Sequence, residues 1–126
     1  MDLAGFDFAG ATQRMTGAVL DVTDPRALTG GPADPDRLRY LQPEMLIESD
    51  DPEIVEQARR ITGSATDART KAERLVREVN AMLDKKPTVS LPSAKEVLRT
   101  NVGDCNEHTA LYVALARAAG LPARIN

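Results

Sequence analysis

The chain is short of rings. Its 126 residues include 2 Phe, 2 Tyr and no Trp, too thin a set to line both a β-core and the substrate cleft of a complete enzyme. Cysteine occurs once, at Cys105, which excludes an internal disulfide and a multi-cysteine zinc site. No apolar run approaches the roughly 18 residues of a membrane span. The opening Met1-Asp2-Leu3-Ala4-Gly5 lacks the basic stretch and apolar core of a secretory signal. Basic clustering is missing too: 16 Lys plus Arg stand against 19 Asp plus Glu, a net charge of −3. That balance disfavours a nucleic-acid partner, which needs a concentrated basic face. No cofactor is expected, and the cell compartment is left open.

What is present is helical. Ordinary apolar and charged fractions of 42% and 28% describe a globular chain near the size of one domain. The first part differs from the rest. Thr16–Thr23 reads as one β-prone strand ending at Asp24-Pro25, and Leu28–Asp36, with Gly30-Gly31-Pro32 and Asp34-Pro35, reads as a linker. Arg37–Ile47, interrupted by Pro43, reads as an extended segment laid across a core. Then Asp50 or Asp51 followed by Pro52 and Glu53 opens a helix over 52–62, with Ile54, Val55, Ala58 and Ile61 on one face and Gly63 as its stop. A second helix is predicted over 67–84 from the stripe Ala68, Ala72, Leu75, Val76, Val79, Met82, Leu83, ended by Pro87. After the connector Thr88–Leu91, Ser93 and Glu96 have capping-box spacing for a short helix through Leu98. The fourth helix starts at Asp104, with Glu107 completing a second box. Leu111, Ala114, Leu115 and Ala118 form its buried face, and Gly120 closes it in the left-handed region. Its many alanines predict a central position. The fold class is therefore mainly α: about four helices around a Cys-bearing helix, with a short β or extended N-terminal segment.

The only thiol falls in the first turn of that central helix. Free N–H groups and the positive end of the helix dipole favour negative charge there, which suits a nucleophile. Gly103 is expected to let the backbone bend into the helix and leave the sulfur at an accessible edge. Asp104 and Glu107 oppose the effect, because two nearby carboxylates disfavour a third anion. A simpler reading is a small buried cysteine at a helix start. His108 follows at i+3 and shares a face with Cys105. As a catalytic base it is poorly placed, since both groups leave one helix with little room for a third group to orient the ring. Gly103, Asp104, Asn106 and His108 are thus expected to shape the surroundings of Cys105.

The run Pro92-Ser93-Ala94-Lys95-Glu96-Val97-Leu98-Arg99-Thr100-Asn101-Val102-Gly103-Asp104-Cys105-Asn106-Glu107-His108, continuing through Ala119-Gly120-Leu121-Pro122-Ala123-Arg124, resembles the core of bacterial transglutaminase-like proteins. In that family G-x-C opens the central helix and A-x-G-[IL]-P-A-R leads into the catalytic sheet. The resemblance extends over about Tyr40 to Asn126. It implies an α+β parent fold and a papain-like Cys-His-Asp triad. In that chemistry a thiolate attacks a glutamine or peptide carbonyl, and the resulting thioester passes its acyl group to an amine or to water. Only Cys105 carries over as catalytic, because the family's His and Asp follow the P-A-R segment and His108 does not match that His.

The expectation is therefore a two-part chain. Residues 1–36 are the tail of a preceding β-rich domain plus linker, and 37–126 are the N-terminal helical half of a transglutaminase-like domain, inactive alone. The expected partners are a protein or peptide substrate of the parent, the rest of the parent chain, and a second copy covering the open face of the central helix. A non-catalytic helical interaction module is the alternative, and a redox-sensing thiol a third reading.

Overall fold

A computed structural model describes residues 10, 12–24, 27, 34–88 and 93–125. The chain divides into two units, Met1–Asp34 and Pro35–Asn126. Most of the expected linker, 28–33, and the connector residues Val89–Leu91 lie outside the described residues.

In the first unit the single strand expected over Thr16–Thr23 is a hairpin instead. Strands β1 (Gln13–Thr16) and β2 (Val19–Val22) pair antiparallel, Gln13 opposite Val22 and Thr16 opposite Val19. Gly17 sits at φ 62°. A glycine at the first central position of a two-residue loop reverses the chain with the twist a hairpin needs, so one β-prone run becomes the end of one strand and the start of the next.

Among the described residues the second unit is built around four α-helices, and its segment before them is tighter than expected. Arg37–Leu41 forms a 3-10 helix where extended chain was predicted. It stops at Gln42, whose extended backbone (ψ 146°) is the conformation a following proline imposes. Glu44 and Ile47 then form a bridge, and Ile47 enters the core.

Helix α1 (Pro52–Thr62) has the predicted limits: Asp51 accepts the Glu53 N–H at 2.9 Å, Pro52 occupies the first turn, and Gly63 ends it at φ 53°. Ile54 and Ala58 face inward. Helix α2 (Ala68–Met82) is capped by Asp67, which accepts the Thr70 N–H at 2.8 Å. Its buried stripe is narrower than predicted, Leu75 and Val79 with Leu83 just beyond, while Val76 is 53% exposed. Pro87 does not end it. Leu83 is already extended because β3 (Asp84–Lys85) pairs in parallel with β4 (Val102–Gly103).

Helix α3 (Ala94–Thr100) lacks the expected Ser93–Glu96 box. The Ser93 hydroxyl donates to the Glu48 carboxylate, whose second oxygen accepts the Lys95 N–H at 3.3 Å. A carboxylate from a distant segment thus does the capping. The helix also runs past Leu98 to Thr100, where Asn101 in the left-handed region (φ 53°, ψ 33°) closes it.

Helix α4 (Cys105–Ala118) packs against α1, α2 and α3. Ala110, Ala114 and Ala116 let these neighbours approach, and Leu111 and Leu115 fill the centre. Its end is a Schellman motif. Leu121 N–H reaches Ala116 O at 2.9 Å, Gly120 N–H reaches Arg117 O at 2.9 Å, and Gly120 has φ 81°. Helix α2 serves the ends of two neighbours: Arg74 donates to Thr62 O at 2.6 Å and Lys71 to Ala119 O at 3.0 Å. Cations at terminal carbonyls offset the negative ends of both helices.

Arg117 ties the bottom of α4 to the chain on either side of the helices, at Ala123 and at Gln42–Glu44. Its side chain is 2% exposed and donates to Ala123 O (2.9 Å), Gln42 O (2.6 Å) and Glu44 Oε1 (2.8 Å). Lysine lacks the planar fork to meet three acceptors. Arg117→Lys is expected to lower the unfolding free energy by about 2 kcal/mol in urea titration, the scale of lost hydrogen bonds to a charged donor.

Candidate active site

The site is the first turn of α4. Three constraints converge on it: the β3–β4 pairing, which brings Lys85 opposite Gly103, the left-handed Asn101 before it, and the capping box at its start. Asp104 accepts the N–H groups of Asn106 (3.1 Å) and Glu107, and Glu107 Oε2 accepts the Asp104 N–H at 3.0 Å. Of the N–H groups from Asp104 to Glu107, only that of Cys105 has no protein acceptor among the described residues.

Cys105 itself is exposed. Its Sγ lies 4.0 Å from Asn106 Oδ1, and its carbonyl accepts the Thr109 hydroxyl at 2.7 Å. Asn106 therefore borders the sulfur, while Asp104 turns its carboxylate to backbone N–H groups.

Gly103 is needed for a different reason than the one expected. It is not among the glycines of positive φ. A Cβ on it would lie 2.2 Å from Glu107 Cβ and 2.7 Å from Glu107 Cγ. The missing side chain makes room for Glu107, not for a sharp bend.

Glu107 is 3% exposed. Its Oε1 accepts the Thr88 hydroxyl at 2.5 Å. That bond, with the Asp104 N–H, holds its pKa down to about 2 from 4.5, against burial, which pushes it up. Sequence reading identified Glu107 as a cap but missed its burial and missed Thr88. No local spacing links residues 88 and 107; only the close approach to Gly103 leaves a trace in the sequence.

His108 does not meet the thiol. Its Nδ1 lies 2.6 Å from the Asp104 carbonyl oxygen, which can only accept, so Nδ1 carries the proton. Nε2 is buried without a partner among the described residues. The ring borders a groove of about 480 Å³ between α2 and α4, with Val76, Val79, Tyr112, Val113 and Pro122, and Cys105 is not among its lining residues. No His, Cys, Asp and Glu group of three or more suited to a metal ion occurs among the described residues, nor a helix long and apolar enough to cross a membrane.

Comparison with known proteins bears on the family and the fold. The profile of the transglutaminase-like superfamily matches residues 55–126. No curated protein matches the chain. A crystal structure from Cytophaga hutchinsonii, of a protein designated a candidate cysteine protease, superposes with a TM-score of 0.64 at 23% identity. The match covers 71% of this chain and 31% of that one. At that identity the likeness establishes the fold, and the chain spans about a third of the crystallised protein's length.

Two outcomes are expected for Glu107 and its neighbour. A carboxyl whose pKa is depressed on folding contributes stability that is complete above about 4.5 and lost as pH falls toward about 2. Acid titration of unfolding should show that loss, and Glu107→Gln should flatten it. Gly103→Ala, which forces overlap with Glu107, should destabilise the fold by about 1–3 kcal/mol in denaturant titration.

Proposed function

Because the chain belongs to the transglutaminase-like superfamily, we propose that Cys105 is the nucleophile of a cysteine acyl-transfer or hydrolytic enzyme. The observation that carries this reading is the pairing of an exposed thiol with an N–H on the same residue that has no protein acceptor among the described residues, at the start of a buried helix. In the first step the Cys105 sulfur attacks the carbon of a glutamine carboxamide or peptide carbonyl. The oxygen of the tetrahedral adduct takes up negative charge, and the Cys105 N–H stands beside it as a donor. The C–N bond breaks, the amine or ammonia leaves with a proton, and a thioester remains. An amine or water then attacks that thioester and regenerates the thiol.

The base that takes the thiol proton is not His108, the chain's single histidine: its Nδ1 is committed to Asp104 O, its Nε2 is buried, and its ring lines the groove beside α2. The imidazole and carboxylate of a triad are therefore assigned to residues outside these 126, and this chain by itself is inactive. Residues 1–36 are read as the tail of a preceding domain plus linker, and 37–126 as the helical part of the catalytic domain. The commitment of His108 to Asp104 O also favours a second reading, a helical interaction module that keeps the fold without the chemistry.

Labelling separates the two. As a nucleophile site, Cys105 should react with iodoacetamide faster in the folded protein than in denaturant. Folded-state labelling slower than denatured labelling would overturn the nucleophile reading. With a glutamine donor and an amine acceptor the chain should give no turnover, and turnover abolished by Cys105→Ala would overturn the assignment of the base elsewhere. The apolar part of the groove, with Val76 exposed at its rim, is proposed to associate with a second copy. Sedimentation should show concentration-dependent dimers, and a strict monomer at the highest soluble concentration would contradict it.

A further inference from the structure

The four α-helices start with the same backbone bond. In each the carbonyl of the capping residue accepts the N–H four residues on: Val55 N–H to Asp51 O (2.9 Å), Lys71 N–H to Asp67 O (3.2 Å), Val97 N–H to Ser93 O (2.9 Å) and His108 N–H to Asp104 O (3.1 Å). The caps themselves are not alike. Asp51, Asp67 and Ser93 have ordinary extended ψ angles of 133°, 147° and 129°, whereas Asp104 has ψ −148°. That angle turns the peptide between residues 104 and 105, which carries the Asp104 carbonyl on one side and the Cys105 N–H on the other. Among the described residues, α4 is also where a side chain adds a second donor to the capping carbonyl. His108 Nδ1 lies 2.6 Å from Asp104 O.

We infer that His108 is the positioning residue for Cys105: its ring Nδ1–H holds the Asp104 carbonyl and so sets the peptide plane that presents the Cys105 N–H. This rests on the reading of Cys105 as nucleophile. In a trans peptide the C=O and the N–H point in opposite directions, so whatever holds one aims the other. The backbone bond is common to all four caps and cannot account for the turned plane. The ring bond is particular to α4, and the ring makes no other among the described residues: Nε2 is buried without a partner, and the ring borders the groove with Val79, Tyr112 and Val113. A second donor on the carbonyl also does more than aim. Hydrogen bonds to a carbonyl oxygen draw electron density from the amide nitrogen, which makes the N–H of that same peptide a stronger donor. That N–H belongs to Cys105, where no protein acceptor among the described residues competes for it. His108 thus acts through the 104–105 peptide and not on the thiol.

Three substitutions separate the bond from the space the ring fills. In His108→Asn the carboxamide nitrogen can stand close to the place of Nδ1, so the donor survives while most of the ring goes. His108→Phe keeps the bulk of the ring and has no donor. In His108→Gln the amide reaches further out, toward the place of Nε2. A packing role ranks Phe above Asn, and the positioning role ranks Asn above Phe.

The first readout is the direction of the Cys105 N–H, from its residual dipolar coupling in weakly aligned protein, set against the core amides of α4. The second is the ratio of two rates at Cys105: acetylation by p-nitrophenyl acetate over alkylation by iodoacetamide. In the acetylation the sulfur bonds to the ester carbonyl carbon, p-nitrophenolate leaves with the electrons of the broken C–O bond, and the thiol proton passes to water. That route forms an oxyanion and alkylation does not, so the ratio cancels the reactivity of the sulfur and reports the N–H donor.

His108→Phe and His108→Gln should turn the Cys105 N–H toward the direction that ψ of 129° to 147° gives at the other caps. They should lower the rate ratio about fivefold, short of the roughly hundredfold that one donor contributes in a site closed to water. His108→Asn should keep the wild-type coupling and a ratio within about twofold of wild type, because one neutral donor replaces another. Wild-type coupling and ratio in His108→Phe, or losses in His108→Asn as large as those in His108→Phe, would overturn the inference. Nitrogen NMR of the ring in the unsubstituted protein tests it without any variant: the neutral ring should carry its proton on Nδ1, and a proton on Nε2 instead would overturn it equally. If the wild-type thiol labels no faster folded than denatured, the nucleophile reading fails, and the N–H direction still decides whether His108 sets the peptide plane.

Discussion

The helical unit depends on keeping one alanine-rich helix dry. Helix α4 has neighbours on three sides, and its apolar residues Leu111, Ala114 and Leu115 are fully enclosed. A helix so enclosed has little freedom to rotate or slide, since interiors at crystal-like density do not accommodate half-turns. What remains free is its two ends, and both are fixed by charged groups. Arg117 binds three oxygens at the bottom, and the Asp104–Glu107 box closes the top. The direction in which Cys105 faces solvent follows from those fixings together with the burial between them.

The two charges buried among the described residues illustrate when such groups are tolerated. An ion removed from water is costly unless every vacated hydrogen bond is replaced. Arg117 meets two carbonyls and a carboxylate whose side chain stays 62% exposed, so only one member of that pair leaves solvent. Glu107 meets a hydroxyl and a backbone N–H at the positive end of a helix. Each is held by dipoles more than by an opposite charge, which ties it to one backbone geometry.

Local signals were legible in the sequence and non-local ones were not. Asp51-Pro52, Asp67, Asp104 with Glu107, and Gly120-Leu121 each act within a turn of their own residue, so the limits of α1, the cap of α4 and its Schellman end could be read directly. The place of the lone cysteine in the first turn of α4 was equally legible, because the Asp104–Glu107 spacing marks that helix start. The cap of α3 by Glu48, the end of α2 by β3–β4 pairing, and the Thr88 bond to Glu107 depend on residues far apart in the chain. No periodicity reports them. Gly103 lies between these cases: its presence was readable, but the overlap that demands it appears only when Glu107 folds back over it.

Helix α2 holds a position whose effect is on motion. Through Arg74 and Lys71 it supplies the final carbonyl partners of both α1 and α4. Fraying at the last turn of either helix must therefore release a side chain of α2, and loosening of α2 exposes the ends of both. Helices joined in this way do not open one at a time. The 35–126 unit should behave as a single cooperative body, in which the first turn of α4 stays ordered for as long as the opposite ends of its neighbours do.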